Sequence, residues 1–231
     1  MTPRELIENA LKEGRTWLYE DEAKLLCSLY EIPVAKSKVA RSKEEAIKIA
    51  KEIGFPIVMK IVSPDVLHKS DVGGVKVNVK SEEELIKAYD EIVTNVKSRK
   101  PDARIVGILI QEMVPQATEV IIGGIRDPQF GPAVMFGLGG IFVEIFRDVS
   151  FRIAPVSVED ALEMISEIKG YQILKGYRGT TPADLDALAD AIVKTSKMLL
   201  ENEEIDQLDL NPVFVFEKGI KVIDARVILK K

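Results

Sequence analysis

The sequence predicts an α/β protein, with α+β character, that is divided into two lobes. Segments with helical periodicity alternate with short apolar strands up to about residue 105, and strands then dominate until helices resume near residue 158. A chain of 231 residues, 46% of them hydrophobic, can bury a core of its own and falls between one large domain and two small ones. We therefore expect lobes over residues 1–105 and 106–231.

Helix-capping signals mark the elements of the first lobe. Ser42 with Glu45 and Ser81 with Glu84 have the spacing of capping boxes, and Gly54 stands where a helix C-cap glycine is expected. The predicted order is helices over 3–14 and 20–30, a strand over 32–40, a helix over 42–54, strands over 55–62 and 74–79, and a helix over 81–99.

The second lobe is predicted to be mainly β. Four strands are expected to form a meander, and two helices and a final hairpin follow it. Thr181 is the predicted N-cap of the second helix, with Pro182 at its first position. The predicted order is strands over 104–114, 118–127, 131–140 and 148–155, helices over 158–168 and 183–200, and hairpin strands over 205–216 and 220–229.

Composition excludes several classes of protein. The formal net charge of -5 lacks the basic excess that binds nucleic-acid backbones, so we expect no nucleic-acid partner. Cys27, the only cysteine, lies in the apolar phase of a predicted helix and is expected to be a buried structural thiol. The N-terminus lacks the pattern of a signal peptide, and no apolar stretch reaches the roughly 20 residues that span a bilayer. A cytoplasmic protein is expected. The high content of Lys and Glu is typical of proteins from thermophiles.

The only histidine of the chain, His68, lies in a polar loop between two predicted strands. Glycines let main-chain N–H groups approach oxyanions, and nearby lysines add positive charge, so the loop suits phosphate. The alternative is an ordinary hairpin turn with solvated lysines, since the chain contains neither a P-loop nor a GxGxxG motif. The candidate residues of this loop and its flanks are Lys60, His68, Lys69, Gly73, Gly74 and Lys76.

The C-terminal hairpin is a candidate magnesium site. A period of two places Asp209 and Asn211 on one face, opposite the apolar residues Leu208, Leu210, Phe214 and Phe216. If Lys218 and Gly219 form the turn, Val213 pairs with Asp224, and Asp224 lies diagonal to Asn211. A diagonal of roughly 7 to 8 Å allows both side chains to reach one cation, and a few oxygen ligands suit Mg²⁺ shared with substrate phosphates. The alternative is a solvent-facing edge with incidental acids.

Three weaker signals lie between these regions. Glu112 and Glu119 are separated by a turn-like segment, and residues 136–140 form a second glycine-rich turn. Arg152, between two apolar residues, is either a phosphate clamp or a surface charge. Trp17 and the other aromatic residues do not alternate with basic residues, which indicates core packing rather than base stacking.

In order along the chain, five stretches resemble those of the ATP-grasp fold, and more closely those of the nucleotide-binding β subunits of ADP-forming acyl-CoA (acetate) synthetases, relatives of succinyl-CoA synthetase. The resemblance covers nearly the whole chain. The stretches are YEIPVAKSKVARSKEEAIKIAKEIGFPIVMK, SPDVLHKSDVGGVKV, IQEMVPQATEVIIGGIRDPQFGP, LDLNPVFVF and VIDARV.

The resemblance implies that ATP or ADP lies between the two lobes. Lys60 would contact its phosphates, the Gly73–Gly74 loop would cover them, and Glu119 would meet the ribose. The segment Gln111, Glu112, Met113 and Val114 would contact adenine, mostly through the backbone. Arg152 is a further candidate for nucleotide binding.

The resemblance also implies a phosphoryl relay. Asn211 and Asp224 match positions that hold Mg²⁺, and Asp209 matches an acid that orients a phosphohistidine. His68 stands where the acetate branch carries a histidine regarded as a station for the phosphoryl group, and neutral imidazole is a suitable nucleophile. The alternative is a loop histidine that only hydrogen-bonds and orients phosphate.

The chain has no dinucleotide-type glycine motif for binding CoA and no second histidine. The resemblance therefore implies a CoA-binding α subunit as partner, in a heterotetramer of α2β2 type, that handles phosphate and acyl-CoA. Two alternatives stay open: a stand-alone ATP-grasp ligase that joins a carboxylate to an amine, and an ATP-sensing subunit that regulates a partner enzyme.

Overall fold

A computed structural model describes residues 1–66, 68–140, 148–177 and 181–230. Two compact units are present: a larger unit of Met1–Val34 with Gln116–Lys231, and a smaller unit of Ala35–Pro115. This division differs from the expected lobes over 1–105 and 106–231, because strand pairing assigns two segments differently. The first strand, at Trp17–Leu18, pairs with the last one, and the strand over Gly107–Glu112 pairs with strands of the smaller unit.

The element bounds follow the chain. Helices are α1 Pro3–Lys12, α2 Glu20–Leu29, α3 Lys43–Ile53, α4 Glu82–Arg99, α5 Val158–Glu167, α6 Tyr171–Leu174 and α7 Leu185–Glu201. Strands are β1 Trp17–Leu18, β2 Ser37–Ala40, β3 Ile57–Val62, β4 Val75–Val79, β5 Gly107–Glu112, β6 Thr118–Asp127, β7 Gly131–Leu138, β8 Val149–Ile153, β9 Ile205–Val215, β10 Ile220–Val222 and β11 Ala225–Leu229.

The smaller unit is an antiparallel sheet in the order β2-β5-β3-β4, packed against α3 and α4. The predicted caps are confirmed: the Ser42 and Ser81 hydroxyls accept from the third residue of their helices, each at 3.2 Å. Gly54 ends α3 at a φ of 92°, a region that favours glycine. The predicted hairpin of β3 and β4 is also confirmed.

The larger unit is a sheet in the order β1-β11-β9-β6-β7-β8, with β10 paired to β9. Strands β6, β7 and β8 form the predicted meander. The fourth predicted member, β5, is instead the second strand of the smaller sheet, because both of its edges are paired there. One face of the larger sheet packs on the N-terminal helices and on α5 and α7, where Cys27 is fully buried.

The start of α7 differs from the predicted one. Asp184, rather than Thr181, is its N-cap, and its carboxylate accepts from the N–H of Ala187 at 3.0 Å and of Gly219 at 2.7 Å. The second bond joins the helix start to the β9–β10 turn. A carboxylate that satisfies two main-chain donors is a better cap than a threonine three residues earlier. Among the described residues, no helix is long and apolar enough to cross a bilayer.

Candidate functional site

The glycines beside His68 are required by the packing of their own loop. The N–H groups of Gly73 and Gly74 donate to the carbonyls of Ser70 at 3.0 Å and Lys69 at 2.7 Å. Gly73 has a φ of +67°, and a Cβ on Gly74 would lie 2.5 Å from Cγ2 of Ile61. These two amides are therefore engaged within the loop, while His68 is exposed to solvent.

Lys60 lies on the face of the smaller sheet that does not pack on α3 and α4. Its neighbours in β3, Met59 and Ile61, belong to the core on the helix side. Strand alternation therefore places Lys60 on the opposite face, together with Gln111 of the adjacent strand β5. Lys60 is 7% exposed and Gln111 is 1% exposed. Two buried polar side chains on one face of a sheet are characteristic of a polar site, since burial is unfavourable without polar partners.

The segment after Gln111 is held by main-chain contacts within the smaller unit. The N–H of Glu112 donates to the carbonyl of Lys36 at 2.9 Å, and the Glu112 carboxylate accepts from the Lys36 N–H at 2.7 Å. The N–H of Met113 donates to the carbonyl of Pro56 at 3.2 Å. Met113 is 39% exposed and Val114 is half-buried, which leaves apolar surface beside an ordered backbone.

Asn211 and Asp224 lie directly opposite each other in the terminal hairpin. The main-chain N–H of Asn211 donates to the carbonyl of Asp224 at 3.1 Å, and Val213 pairs with Val222. The predicted pairing of Val213 with Asp224 is therefore displaced by two residues, because the β9–β10 turn is wider than the two residues assumed. A two-residue displacement preserves the face of each side chain and turns the expected diagonal into a direct cross-strand pair.

A β-bulge lies at this pair. Between the pairs Val120–Val213 and Ile122–Leu210, two residues of β9 stand opposite Ile121 of β6. The extra residue reverses the alternation beyond it, so that Phe214 lies opposite Glu119 and away from the core that contains Val213. The expected placement of Phe214 on the face opposite Asn211 is therefore wrong. Bulges often re-aim side chains next to functional sites.

Asp209 is one alternation step from Asn211, on the face of the larger sheet that the helices do not cover. Although Asp209 is exposed to solvent, partial desolvation by the surrounding protein raises the pKa of its carboxyl group, the nearby charge of Asp224 raises it further, and Arg226 lowers it. Arg226 is its direct partner in β11. A cavity of about 270 Å³ lies here. Its lining consists of Ile121, Gly123, Gly124, Ile125, Met135, Phe151, Gln207, Leu208, Asp209, Arg226 and Ile228.

Sequence reasoning did not select Arg226 or Gly123. The alternation of VIDARV places Arg226 between the buried residues Ala225 and Val227, and this was the available signal. Gly123 appears as one of two adjacent strand glycines, and such glycines often mark the close approach of another group.

Glu119 and Arg152 stand in different surroundings. Glu119 is half-buried on β6, and its carbonyl accepts from the N–H of Gly139 in the predicted glycine-rich turn at 2.8 Å.

Arg152 donates to the carboxylate of Glu167 through both terminal nitrogens and lies 3.5 Å from Glu163. The Glu167 partner raises the pKa of Arg152. These ion pairs on α5 favour the surface-charge alternative for Arg152.

The donor set at Asn211 and Asp224 fits a magnesium ion that is shared with a nucleotide. Among the described residues, no three His, Cys, Asp or Glu side chains form a complete metal site. Mg²⁺ usually takes one or two protein oxygens and completes its shell with water and substrate phosphates. A direct amide–carboxylate pair at a bulge provides two such oxygens.

Comparison with known proteins identifies the family of the chain. The chain matches the ATP-grasp domain over residues 9–229. It is 57% identical over 226 residues to the β subunit of ADP-forming acetate–CoA ligase I of Pyrococcus furiosus, covering 98% of this chain and 97% of that one. ADP-forming acetate–CoA ligase I of Archaeoglobus fulgidus is 51% identical over 225 residues, which cover 97% of this chain and 33% of that longer protein.

Solved structures agree with this match. Acetyl-coenzyme A synthetase 1 of Candidatus Korarchaeum cryptofilum, in complex with coenzyme A, Ca-AMPCP and HgCl+, superimposes with a TM-score of 0.97 at 57% identity, covering 99% of this chain and 100% of that chain. The same synthetase with coenzyme A and Mg-AMPPCP, its phosphohistidine segment pointing towards the nucleotide binding site, gives a TM-score of 0.89 at 53% identity and the same coverage. A family match over nearly the full length, together with relatives more than half identical, shows that this chain belongs to the ATP-grasp family.

Proposed function

We propose that this chain is the nucleotide-binding β subunit of an ADP-forming acetate–CoA ligase, and that it transfers a phosphoryl group from a phosphohistidine of its partner to ADP. The observation that carries the proposal is the direct pair of Asn211 and Asp224, one alternation step from Asp209. This arrangement provides a magnesium site beside a carboxylate on the helix-free face of a sheet. The 57% identical β subunit from Pyrococcus supports the reaction class.

The residues divide into groups with separate proposed roles. In the smaller unit, Lys60 contributes positive charge to the nucleotide phosphates, and the backbone of 111–114 contacts the adenine. The loop glycines Gly73 and Gly74 fix the conformation that presents His68. In the larger unit, Glu119 contacts the ribose, and Asn211 with Asp224 holds Mg²⁺, which neutralises phosphate charge. The support for these roles is the burial of Lys60 and Gln111 and the exposure of His68.

The transfer reaction defines the role of Asp209. When the phosphoryl group leaves, the N–P bond breaks, its electron pair stays on the imidazole nitrogen, and a new P–O bond forms to the terminal oxygen of ADP. A ring protonated on its other nitrogen leaves as neutral imidazole. Asp209, as a carboxylate that accepts this N–H, would hold the ring in that form and orientation. Phosphoryl transfer depends mainly on such positioning and on charge neutralisation.

His68 is proposed as a station of the phosphoryl group. Its imidazole is exposed in a loop whose backbone is fixed by the two glycines, so it can be reached by a phosphoryl donor. Neutral imidazole is a nucleophile at physiological pH, and the phosphoimidazole that it forms keeps a high transfer potential. His68→Asn keeps a hydrogen-bonding side chain and removes this nucleophile.

A CoA-binding α subunit is the proposed partner, in an α2β2 assembly. The Pyrococcus relative is named a β subunit, and the Archaeoglobus relative carries a comparable region within a chain about three times as long. The α subunit would handle acyl-CoA and free phosphate. Because ADP and CoA are cytoplasmic metabolites, we also propose a cytoplasmic location.

Reconstitution tests the proposal. The chain alone is expected to bind ADP with Mg²⁺ and to make no ATP from acetyl-CoA, phosphate and ADP, whereas addition of the α subunit restores ATP formation. Turnover by the chain alone would favour a stand-alone ligase. If Asp224→Asn left the activity of the partner unchanged but abolished its sensitivity to nucleotide, the chain would instead be an ATP-sensing subunit.

The His68 role is tested in the reconstituted enzyme. His68→Asn is expected to abolish ATP formation while the affinity for Mg²⁺ and ADP stays unchanged, as measured by calorimetry. Lys80→Gln, an exposed change at the end of the same hairpin, is the matched control. Undiminished turnover by His68→Asn would remove the relay and leave the nucleotide-binding proposal in place.

A further inference from the structure

Arg226 lies in a row of residues that crosses the helix-free face of the larger sheet. In register, this row runs Arg226, Asp209, Gly123, Met135 and Phe151 over strands β11, β9, β6, β7 and β8. All five residues line the 270 Å³ cavity. We call these five residues the cavity row. It begins with a cation and an anion and ends with apolar side chains.

The guanidinium of Arg226 is available to a ligand. Arg226 is exposed and makes no hydrogen bond or ion pair with any residue that the structure describes. Its neighbour Asp209 is close enough to feel its charge but is not within ion-pair distance. A guanidinium presents several donors in a planar fork that matches a phosphoryl group better than an ammonium does.

Gly123 forms the floor of the cavity between the charged and the apolar halves. A Cβ at this position would lie 3.0 Å from Cε of Met135. Beyond it, Phe151 is 51% exposed, which is unusual for a large aromatic side chain. The open floor and the exposed ring together leave room for a ligand with one charged end and one apolar end.

The cavity row is adjacent to the proposed magnesium pair. Asp209 and Asn211 are two residues apart on β9, a separation of roughly 6.8 Å along a strand. A phosphoryl group held by Arg226 would therefore lie one step from the cation that binds ADP. The two charged residues of the cavity row also match a phosphohistidine: the guanidinium of Arg226 suits the dianionic phosphoryl group, and the carboxylate of Asp209 suits the ring N–H.

We infer that Arg226 binds the phosphoryl group carried by the partner's histidine, and that the apolar half of the cavity row, with Phe151 at its end, receives the segment that carries this histidine. This inference rests on the proposed function and adds a phosphoryl-binding residue and a docking surface to it. The step that Arg226 assists is the N–P cleavage and P–O formation described above, with the guanidinium neutralising charge on the transferred oxygens.

Single-turnover transfer tests the role of Arg226. The α subunit is first labelled by incubation with acetyl-CoA and radiolabelled phosphate, and it is then mixed with this chain, Mg²⁺ and ADP. Arg226→Gln is expected to slow the formation of labelled ATP about 100-fold, as loss of a donor to a developing oxyanion does, while affinity for ADP stays unchanged. Arg226→Lys, which keeps the charge and loses the fork, is expected to recover part of the rate.

The matched control is Arg41→Gln, an exposed arginine of the smaller unit, which should transfer at the wild-type rate. A transfer rate of Arg226→Gln within about threefold of wild type would overturn the inference, a threefold change being too small for a lost charged contact. A parallel loss of ADP affinity would overturn it too, since it would place Arg226 on the nucleotide. A wild-type mixture that makes no labelled ATP would defeat the proposed function itself.

Phe151→Ser tests the docking surface separately. Because the ring is half exposed, folding should survive, which the melting temperature checks. The concentration of labelled α subunit that gives half-maximal transfer should rise about tenfold, with the maximal rate unchanged, as expected for the loss of one aromatic anchor. An unchanged half-saturating concentration would remove Phe151 from the interface.

Discussion

Asn211 and Asp224 are joined across the terminal hairpin by one main-chain hydrogen bond of 3.1 Å from the N–H of Asn211 to the carbonyl of Asp224. The bond fixes the backbone positions of both residues, one within a β-bulge and the other between β10 and β11. The main chain, rather than a flexible loop, thereby sets the positions from which the two side chains extend. Sites on regular elements are more accurately positioned than sites on loops.

If this pair binds Mg²⁺, substitution of Asp224 should lower the affinity for ADP only when Mg²⁺ is present. Asp224→Asn keeps the size and polarity of the side chain and removes its charge, so the Mg²⁺-dependent affinity for ADP should fall roughly tenfold or more, about 1.4 kcal/mol. Affinity for ADP without Mg²⁺ should change little. Calorimetric titration with and without Mg²⁺ measures both, and Glu217→Gln in the exposed β9–β10 turn is the control. An equal loss with and without the metal would contradict the assignment.

The adjacent glycines of β6 predict opposite outcomes on the two faces of the sheet. A Cβ on Gly124 would lie 2.5 Å from Cδ1 of Leu199 on α7, whereas the nearest atom to a Cβ on Gly123 would be Cε of Met135, the end of a flexible side chain, at 3.0 Å. Overpacking a core costs about 1–3 kcal/mol, so Gly124→Ala should lower the melting temperature by several degrees. Gly123→Ala should leave the melting temperature near the wild-type value and slow phosphoryl transfer instead. If Gly123→Ala lowered the melting temperature and Gly124→Ala did not, then Gly123, and not Gly124, would lie on the core face of the sheet.

Arg152 is expected to form structural ion pairs rather than to bind the nucleotide. Its guanidinium is held by Glu167 and Glu163 of α5, and release from both would be needed before it could reach a phosphate. Arg152→Gln should therefore change the affinity for Mg²⁺ and ADP by less than about twofold and lower stability by at most about 1 kcal/mol, as for other partly exposed ion pairs. Glu167→Gln, which removes the same pair from the other side, should have the same effect on stability. A large loss of ADP affinity in Arg152→Gln alone would restore the phosphate-clamp interpretation.

Local sequence signals predicted most helices and strands. They could not predict which sheet each strand joins, because that depends on pairing between residues far apart in the sequence. The caps at Ser42 and Ser81 depend on contacts three residues apart, so they were readable from the sequence. The membership of β5 in the smaller sheet depends on pairing with β2, about seventy residues earlier, and no local pattern records that.

The candidate site shows the same division. The period of two placed Asp209 and Asn211 on one face, but the bulge at Asn211 changes the alternation after it and moved Phe214 to the other face. Arg226 was missed because a single charged residue between apolar neighbours is typical of any half-exposed strand. Its significance comes from the four other strands of the cavity row.

Asp184 predicts a pH-dependent contribution to stability. The N–H groups of Gly219 and then Ala187 hold its pKa below the usual value, because both bonds favour the charged carboxylate. A carboxyl group whose pKa is lowered on folding stabilises the protein above its unfolded pKa, about 3.9, and this stabilisation is lost as the pH falls through the folded pKa. Asp184→Ala should therefore be less stable than wild type by about 1 kcal/mol at neutral pH.

The difference between wild type and Asp184→Ala should shrink steadily below about pH 4. Urea denaturation followed by circular dichroism at several pH values measures it, and subtraction of the two curves cancels the titration of all shared groups. Asp184→Asn separates charge from hydrogen bonding: its amide oxygen can still accept one N–H, so its stability should lie between the other two at neutral pH. A constant difference down to acidic pH would mean that Asp184 acts by its shape and not by its charge, and that the link from α7 to the β9–β10 turn carries no electrostatic part.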